Sequence, residues 1–226
     1  MNLTLDIGNT AVKWGTFEGR VLTDCGYGMP DKLLRKADHT LACTSGKSPE
    51  GVDIQRLTTE MPLPIQLNYK TPKTLGADRV ADACGAVSLH PGEPCLVIDA
   101  GTCITVDFVD AKGVYHGGAI MPGLKMSLQA LNTFTDKLPL IEIESVEKAP
   151  VLGRTTEESI LAGTLGATLL ALAGYVTLYK EKAPGLRVLL TGGDAERLMA
   201  SGANGWEHVP HLTLIGLNEI LIYNEK

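Results

Sequence analysis

The chain carries one local device twice. An apolar run closes on Asp6-Ile7-Gly8-Asn9-Thr10, and a second closes on Asp99-Ala100-Gly101-Thr102. Each is followed at once by another strand-like run, at 11–18 and at 103–110. The pattern predicts a hairpin in each half, with a tight turn that starts at a carboxylate and passes through glycine to threonine. Glycine there lets backbone approach a ligand with no Cβ in the way. Turn amides and a threonine hydroxyl can donate to phosphate oxygens. The aspartate can hold a cation, directly or through water. Two such turns facing each other across a cleft would grip a polyphosphate from both sides.

The remaining runs fit that frame. Strands are predicted over 2–7, 12–17, 40–44, 95–98, 104–109, 113–116, 185–190 and near 206–209. Helices are predicted over 31–37 with Asp31 as cap, 53–60, 78–89, 122–131, 195–200 and 212–223. Residues 61–75 contain Pro62, Pro64 and Pro72 and read as extended. Residues 138–144 read as a strand or an extended arm. His90-Pro91-Gly92 is the best domain boundary, giving halves 1–91 and 92–226. The alternation predicts two α/β halves with mixed sheets.

Composition bounds the function. The 226 residues suffice for one large domain or two small ones with a sizeable core. A net charge of −6 with no basic stripe argues against nucleic acid as a partner. The five cysteines are odd in number, irregularly spaced and without a C-x-x-C, which fits reduced thiols. The segment Met-Asn-Leu-Thr-Leu-Asp has no basic region and no long apolar run, so no signal peptide and a cytoplasmic location are expected. Residues 159–179 carry no charge and are long enough to cross a bilayer. Their many small residues predict a long buried helix instead, in the core or at a domain or subunit interface, entered through a Thr155/Glu158 capping box.

Several constellations could carry chemistry. Lys13, just past Thr10, could reach a β- or γ-phosphate; read without the turn it is a solvated strand residue. Gly76-Ala77-Asp78-Arg79 stands at a loop-to-helix junction. There Asp78 is either an N-cap or an acceptor for a substrate hydroxyl proton, and the two are compatible. Arg79 could bind an anionic group. The glycines of 117–123 and of Thr191-Gly192-Gly193-Asp194 either let backbone approach a ligand or simply make turns. Thr44-Ser45-Gly46-Lys47-Ser48 ends like a phosphate-binding loop, but that pattern needs glycine where this chain has Leu41. The five histidines show no metal-ligand spacing.

In order, D-I-G-N-T-A-V-K at 6–13, G-A-D-R at 76–79, D-A-G-T at 99–102, G-G-A-I-M-P-G at 117–123 and T-E-E-S-I-x-x-G at 156–163 resemble type III pantothenate kinase. That family belongs to the acetate and sugar kinase, heat-shock chaperone and actin superfamily. The resemblance implies two duplicated actin-like, ribonuclease H-like halves, with mixed sheets flanked by helices and an active-site cleft between them. It implies ATP-dependent phosphorylation of pantothenate, the first step of coenzyme A synthesis, in a cytoplasmic homodimer needing Mg²⁺ and a monovalent cation, K⁺ or NH₄⁺. Carried over by motif, Asp6, Ile7, Gly8, Asn9, Thr10, Ala11, Val12 and Lys13 would bind ATP, with Asp6 on Mg²⁺. Gly76, Ala77, Asp78 and Arg79 would contact pantothenate, with Asp78 as the base. Asp99 would hold the monovalent cation, and Thr102 would touch ATP. Thr156 and Tyr69 would contact pantothenate.

The chain departs from the family at Ala11, where a polar residue is common, and is short before residue 70. Another small-molecule kinase of the superfamily, or a non-catalytic ATP-binding regulator, would show the same two turns. G-A-D-R and T-E-E-S-I favour pantothenate.

Overall fold

The structure, a computed structural model, describes residues 1–46, 54–143, 148 and 150–225. The first sheet has the order β3-β2-β1-β4. It is built from β1 (Asn2–Ile7), β2 (Val12–Glu18), β3 (Val21–Tyr27) and β4 (His39–Thr44). β1 pairs antiparallel with β2 and parallel with β4, so this sheet is mixed. Every residue of β1 except Asp6 is buried, as expected of a strand enclosed on both faces. A short helix, α1 (Asp31–Leu34), precedes β4.

The second sheet has the order β10-β9-β6-β7-β8-β5. Its strands are β5 (Gln66–Leu67), β6 (Cys95–Ala100), β7 (Cys103–Val109), β8 (Val114–Pro122), β9 (Arg187–Thr191) and β10 (Glu207–His208). The larger helices are α2 (Ala77–Leu89), α3 (Leu124–Thr133), α4 (Thr156–Leu161), α5 (Ala167–Lys182), α6 (Ala195–Ser201) and α7 (Leu212–Asn224).

The chain divides into two compact units. One comprises Met1–Cys95, Asp107–Gly117 and His211–Lys226; the other comprises Leu96–Val106 and Gly118–Pro210. In the first unit α2 and α7 cross closely because two glycines meet there. A Cβ on Gly216 would collide with the Ala81 carbonyl, and one on Gly85 would lie 2.8 Å from the Leu212 carbonyl. α7 is apolar on nearly every side and buried for most of its length, from Leu212 to Leu221. Asn218 ties it to the first sheet, accepting from the Asn2 amide at 3.1 Å and donating to the Gly19 carbonyl at 2.8 Å.

Several expected elements differ. β3 carries no alternating apolar face, and Val21 and Tyr27 are 66% and 72% exposed, so the sequence gives it no strand signature. No helix forms over 54–60; Arg56 bridges Ala42 in parallel and the Leu57 amide donates to the Ala42 carbonyl at 2.8 Å. The chain there satisfies its backbone against β4 rather than within itself. Asp53 lies outside the described residues. α1 is only four residues long, and its N-cap is Pro30 without a side-chain bond, not Asp31. The N-cap of α2 is Gly76, which places Asp78 inside the first turn rather than at the cap. β8 continues to Pro122, so most of the 117–123 glycine motif is strand, and α3 starts at Leu124. Residues 138–142 form no strand, and Glu144 lies outside the described residues.

The long apolar helix is not enclosed in the core of this chain, the first of the alternatives its composition allows. α4, a π-helical turn over Ala162–Gly166 and α5 run on from one another across Thr156–Lys182. The capping box is present: Thr155 accepts from the Glu158 amide at 3.1 Å, while the Glu158 carboxylate accepts from the Arg154 amide at 2.6 Å. Yet only 28% of its most apolar stretch is buried. Ile160, Leu165, Leu172 and Val176 form a narrow buried stripe, whereas Leu170 is 73% exposed and Leu178 is 53% exposed. Apolar residues surround the helix on all sides, and the rest of this chain covers one of them. It is the one helix among the described residues that is long and apolar enough to cross a membrane.

Candidate active site

The first turn is set by sheet register. β1 and β2 place Asp6 opposite Lys13, and β1 and β4 place Asp6 beside Cys43. Lys13, Asp6 and Cys43 therefore form a row on one sheet face. The Gly8 amide donates to the Ala11 carbonyl at 3.1 Å and closes the turn, leaving Asn9 and Thr10 exposed. Gly46 lies against it, since a Cβ there would come within 2.5 Å of the Gly8 carbonyl oxygen. The segment that imitates a phosphate-binding loop thus buttresses this turn; Lys47 and Ser48 lie outside the described residues.

The charges in this row interact. Burial raises the Asp6 carboxyl above its ordinary pKa, Lys13 and the Cys43 thiol hold it down, and Asp78 adds repulsion. The Cys43 thiol, pushed well up by burial and then by the Asp6 and Asp78 charges, stays protonated and donates to Asp6 at 3.4 Å. Asp6, Lys13 and Asp78 therefore share one electrostatic neighbourhood in the first unit. His211 stands close by with its Nε2 3.6 Å from the Cys25 thiol, and burial and then Lys13 lower its pKa. It is the one non-glycine residue with positive φ, 62°, among the described residues.

The G-A-D-R turn opens α2. Asp78 is half-buried and its Oδ1 accepts from the Arg79 amide at 2.8 Å. A Cβ on Gly76 would approach that oxygen to 2.5 Å, so glycine makes room for the carboxylate. Arg79 points inward. Its Nε lies 3.0 and 3.1 Å from the two oxygens of Asp107, and its Nη2 lies 2.6 Å from Oδ1. The Tyr115 hydroxyl donates to the same Oδ1 at 2.6 Å. Burial alone would lower the Arg79 pKa, but Asp107 outweighs it and fixes the charge. The guanidinium expected to meet an anionic ligand is engaged by Asp107 instead. Tyr69 packs near Tyr115, with ring centroids 6.0 Å apart.

The second turn lies in the other unit. The Gly101 amide donates to the Cys103 carbonyl at 3.0 Å. Two glycine motifs press on it. A Cβ on Gly123 would strike the Thr102 carbonyl oxygen, and one on Gly192, where φ is +94°, would strike Asp99 Oδ1. The Asp194 amide donates to the Ala100 carbonyl at 2.9 Å. Both motifs serve close backbone approach, but to this turn. Thr156 is exposed at the first residue of α4 in the same unit.

Cys43, Asp107, Tyr115 and His211 have no place in the sequence argument. Asp107 had a usable signal, being a lone charge within the apolar run 104–109. The others become visible only once strands and helices are assembled. Among the described residues no three His, Cys, Asp or Glu side chains gather to hold a metal. A lone carboxylate such as Asp6 still suits Mg²⁺, which keeps several waters and is commonly shared with substrate phosphates.

A two-unit α/β chain with mixed sheets, flanking helices and an aspartate-glycine turn in each unit has the fold of the actin-like ATPases and sugar kinases. A Campylobacter jejuni structure described as of the Baf family of transcriptional activators superposes with a TM-score of 0.66 and 20% identity, covering 99% of this chain and 98% of that one. The activator of 2-hydroxyisocaproyl-CoA dehydratase from Clostridium difficile, solved with ADPNP, gives 0.55 and 15%, over 98% and 93%. A sequence model of type III pantothenate kinase matches residues 46–177. The type III pantothenate kinase of Phocaeicola vulgatus is 38% identical over 251 residues, covering 100% of both chains. The chain belongs to the type III pantothenate kinase family, and is thus a phosphotransferase with an alcohol as acceptor.

Proposed function

We propose that this chain transfers the γ-phosphoryl group of ATP to the primary hydroxyl of pantothenate, giving 4'-phosphopantothenate, the first step of coenzyme A synthesis. The halves 1–91 and 92–226 each supply one aspartate-glycine turn, and both turns serve one nucleotide. Residues 6–13 bind ATP, Thr102 adds a contact, and Gly76, Ala77, Arg79, Tyr69 and Thr156 hold pantothenate. Arg79 does so through its backbone and its place in the turn, since its guanidinium is engaged by Asp107.

Phosphoryl transfer is chiefly positioning and charge neutralisation. Asp78 accepts the hydroxyl proton as the oxygen bonds to phosphorus and the bond to ADP breaks. Lys13 offsets charge on the phosphates. Bound at Asp6, Mg²⁺ would supply further neutralisation of the β- and γ-phosphates. Asp99 holds a monovalent cation, K⁺ or NH₄⁺. The observation that supports this reading most directly is the electrical coupling of Asp78 to Asp6, which already feels Lys13. Such coupling is what a base beside the phosphate and metal groups would show.

The protein acts as a cytoplasmic homodimer, without nucleic acid or membrane partners. The open faces of α5 support the dimer. The test of the catalytic assignment is Asp78→Asn, which is expected to cut turnover by about 10²–10⁴ while ATP still binds. Wild-type turnover in that variant would remove Asp78 from the mechanism.

A further inference from the structure

The Arg79–Asp107 pair has no role in the reaction as just described, yet it occupies a commanding position. Both side chains are shut away from solvent, at 7% and 1% exposure. A buried ion pair is often no more stabilising than apolar residues of equal volume, so stability is a weak reason to keep one. What this pair supplies is connection. Asp107, on β7, receives Arg79 from the first turn of α2 and the Tyr115 hydroxyl from β8. The Tyr69 ring packs near that of Tyr115, with centroids 6.0 Å apart. The Tyr69 ring rests on Gly117, where φ is +86° and a Cβ would come within 3.2 Å of the ring. One carboxylate therefore braces the G-A-D-R turn through Arg79 and, through Tyr115, the segment carrying Tyr69. Asp78 is bonded to the Arg79 amide itself.

We propose that Asp107 is a positioning residue for phosphoryl transfer: by holding Arg79 and Tyr115 it fixes the acceptor-binding groups Gly76 and Tyr69 to Asp78, and so orients the acceptor alcohol against the base. It touches no substrate. The proposal rests on the reading of these residues as the pantothenate site. A misplacement of about 1 Å can cost on the order of 10²-fold in rate, so a brace of this kind acts on catalysis without entering it.

The test is steady-state kinetics of full-length Asp107→Asn with each substrate varied, beside its melting temperature. Asparagine keeps the shape and removes the charge that holds Arg79. The kcat/KM for pantothenate is expected to fall by about 10²-fold while the KM for ATP stays at the wild-type value. Tyr115→Phe, which deletes one donor to Asp107, should move the same constant in the same direction by less. A wild-type kcat/KM for pantothenate in folded Asp107→Asn overturns the proposal. So does a lowered melting temperature with both constants unchanged, which marks a structural role alone. Should Asp107→Asn not fold, Tyr115→Phe decides: a selective fall in kcat/KM for pantothenate supports the brace and a wild-type constant overturns it. Asp78→Asn, measured alongside, separates the two layers. Its loss of turnover beside a kinetically normal Asp107→Asn sinks only the brace, whereas its full turnover sinks the underlying site.

Discussion

Asp6 carries a carboxyl whose pKa is raised, because burial outweighs the help of Lys13 and Cys43. Such a group costs the empty protein stability and is useful once a cation and phosphates arrive, a common trade at functional sites. The sign follows from linkage. A carboxyl whose pKa is raised on folding is destabilising at neutral pH. That cost fades as the pH falls through its folded pKa towards the unfolded value of about 3.9. Asp6→Asn is therefore expected to melt above the wild type at neutral pH, with the gap closing in acid, and to lose turnover. Differential scanning calorimetry across pH checks the first part; a variant less stable at pH 7 contradicts it. Residue-level legibility was uneven. Asp6 and Lys13 stand in a turn whose chemistry is local, so the sequence exposes them. Asp107 meets Arg79 from 28 positions away, a partnership created by packing α2 against a strand.

The α4–α5 run poses the main question at the level of elements. Its buried stripe is narrow, and Leu170 and Leu178 face out. This is the surface that the proposed dimer would cover. Leu170→Glu is expected to turn the proposed dimer into a monomer, read as mass by sedimentation equilibrium. A wild-type protein of monomeric mass removes the dimer. The helix itself was readable from its capping box and length, but its burial was not, because small apolar residues suit a core and a subunit interface equally. Strands β1, β2, β6 and β7 were legible from runs flanking the turns. β3 was not, since its exposed edge position asks for no apolar alternation. The absent helix over 54–60 shows tertiary pairing with β4 overriding local propensity.

At the scale of the molecule, the repeated turn predicted two α/β halves, and the two mixed-sheet units carry one turn each. Their membership was less legible, because segments 107–117 and 211–226 return to the first unit, which no linker signal marks. The proposal of a monovalent cation at Asp99 predicts that replacing K⁺ with Na⁺ depresses turnover, and indifference to the swap counts against that assignment. The central claim is acceptor-dependent transfer with Asp78 as base. It is tested most directly by ADP release in K⁺ buffer, with and without pantothenate, for the wild type and Asp78→Asn. The account predicts release that requires pantothenate and is nearly abolished in the variant. Release that ignores pantothenate, or that survives intact in the variant, would contradict it.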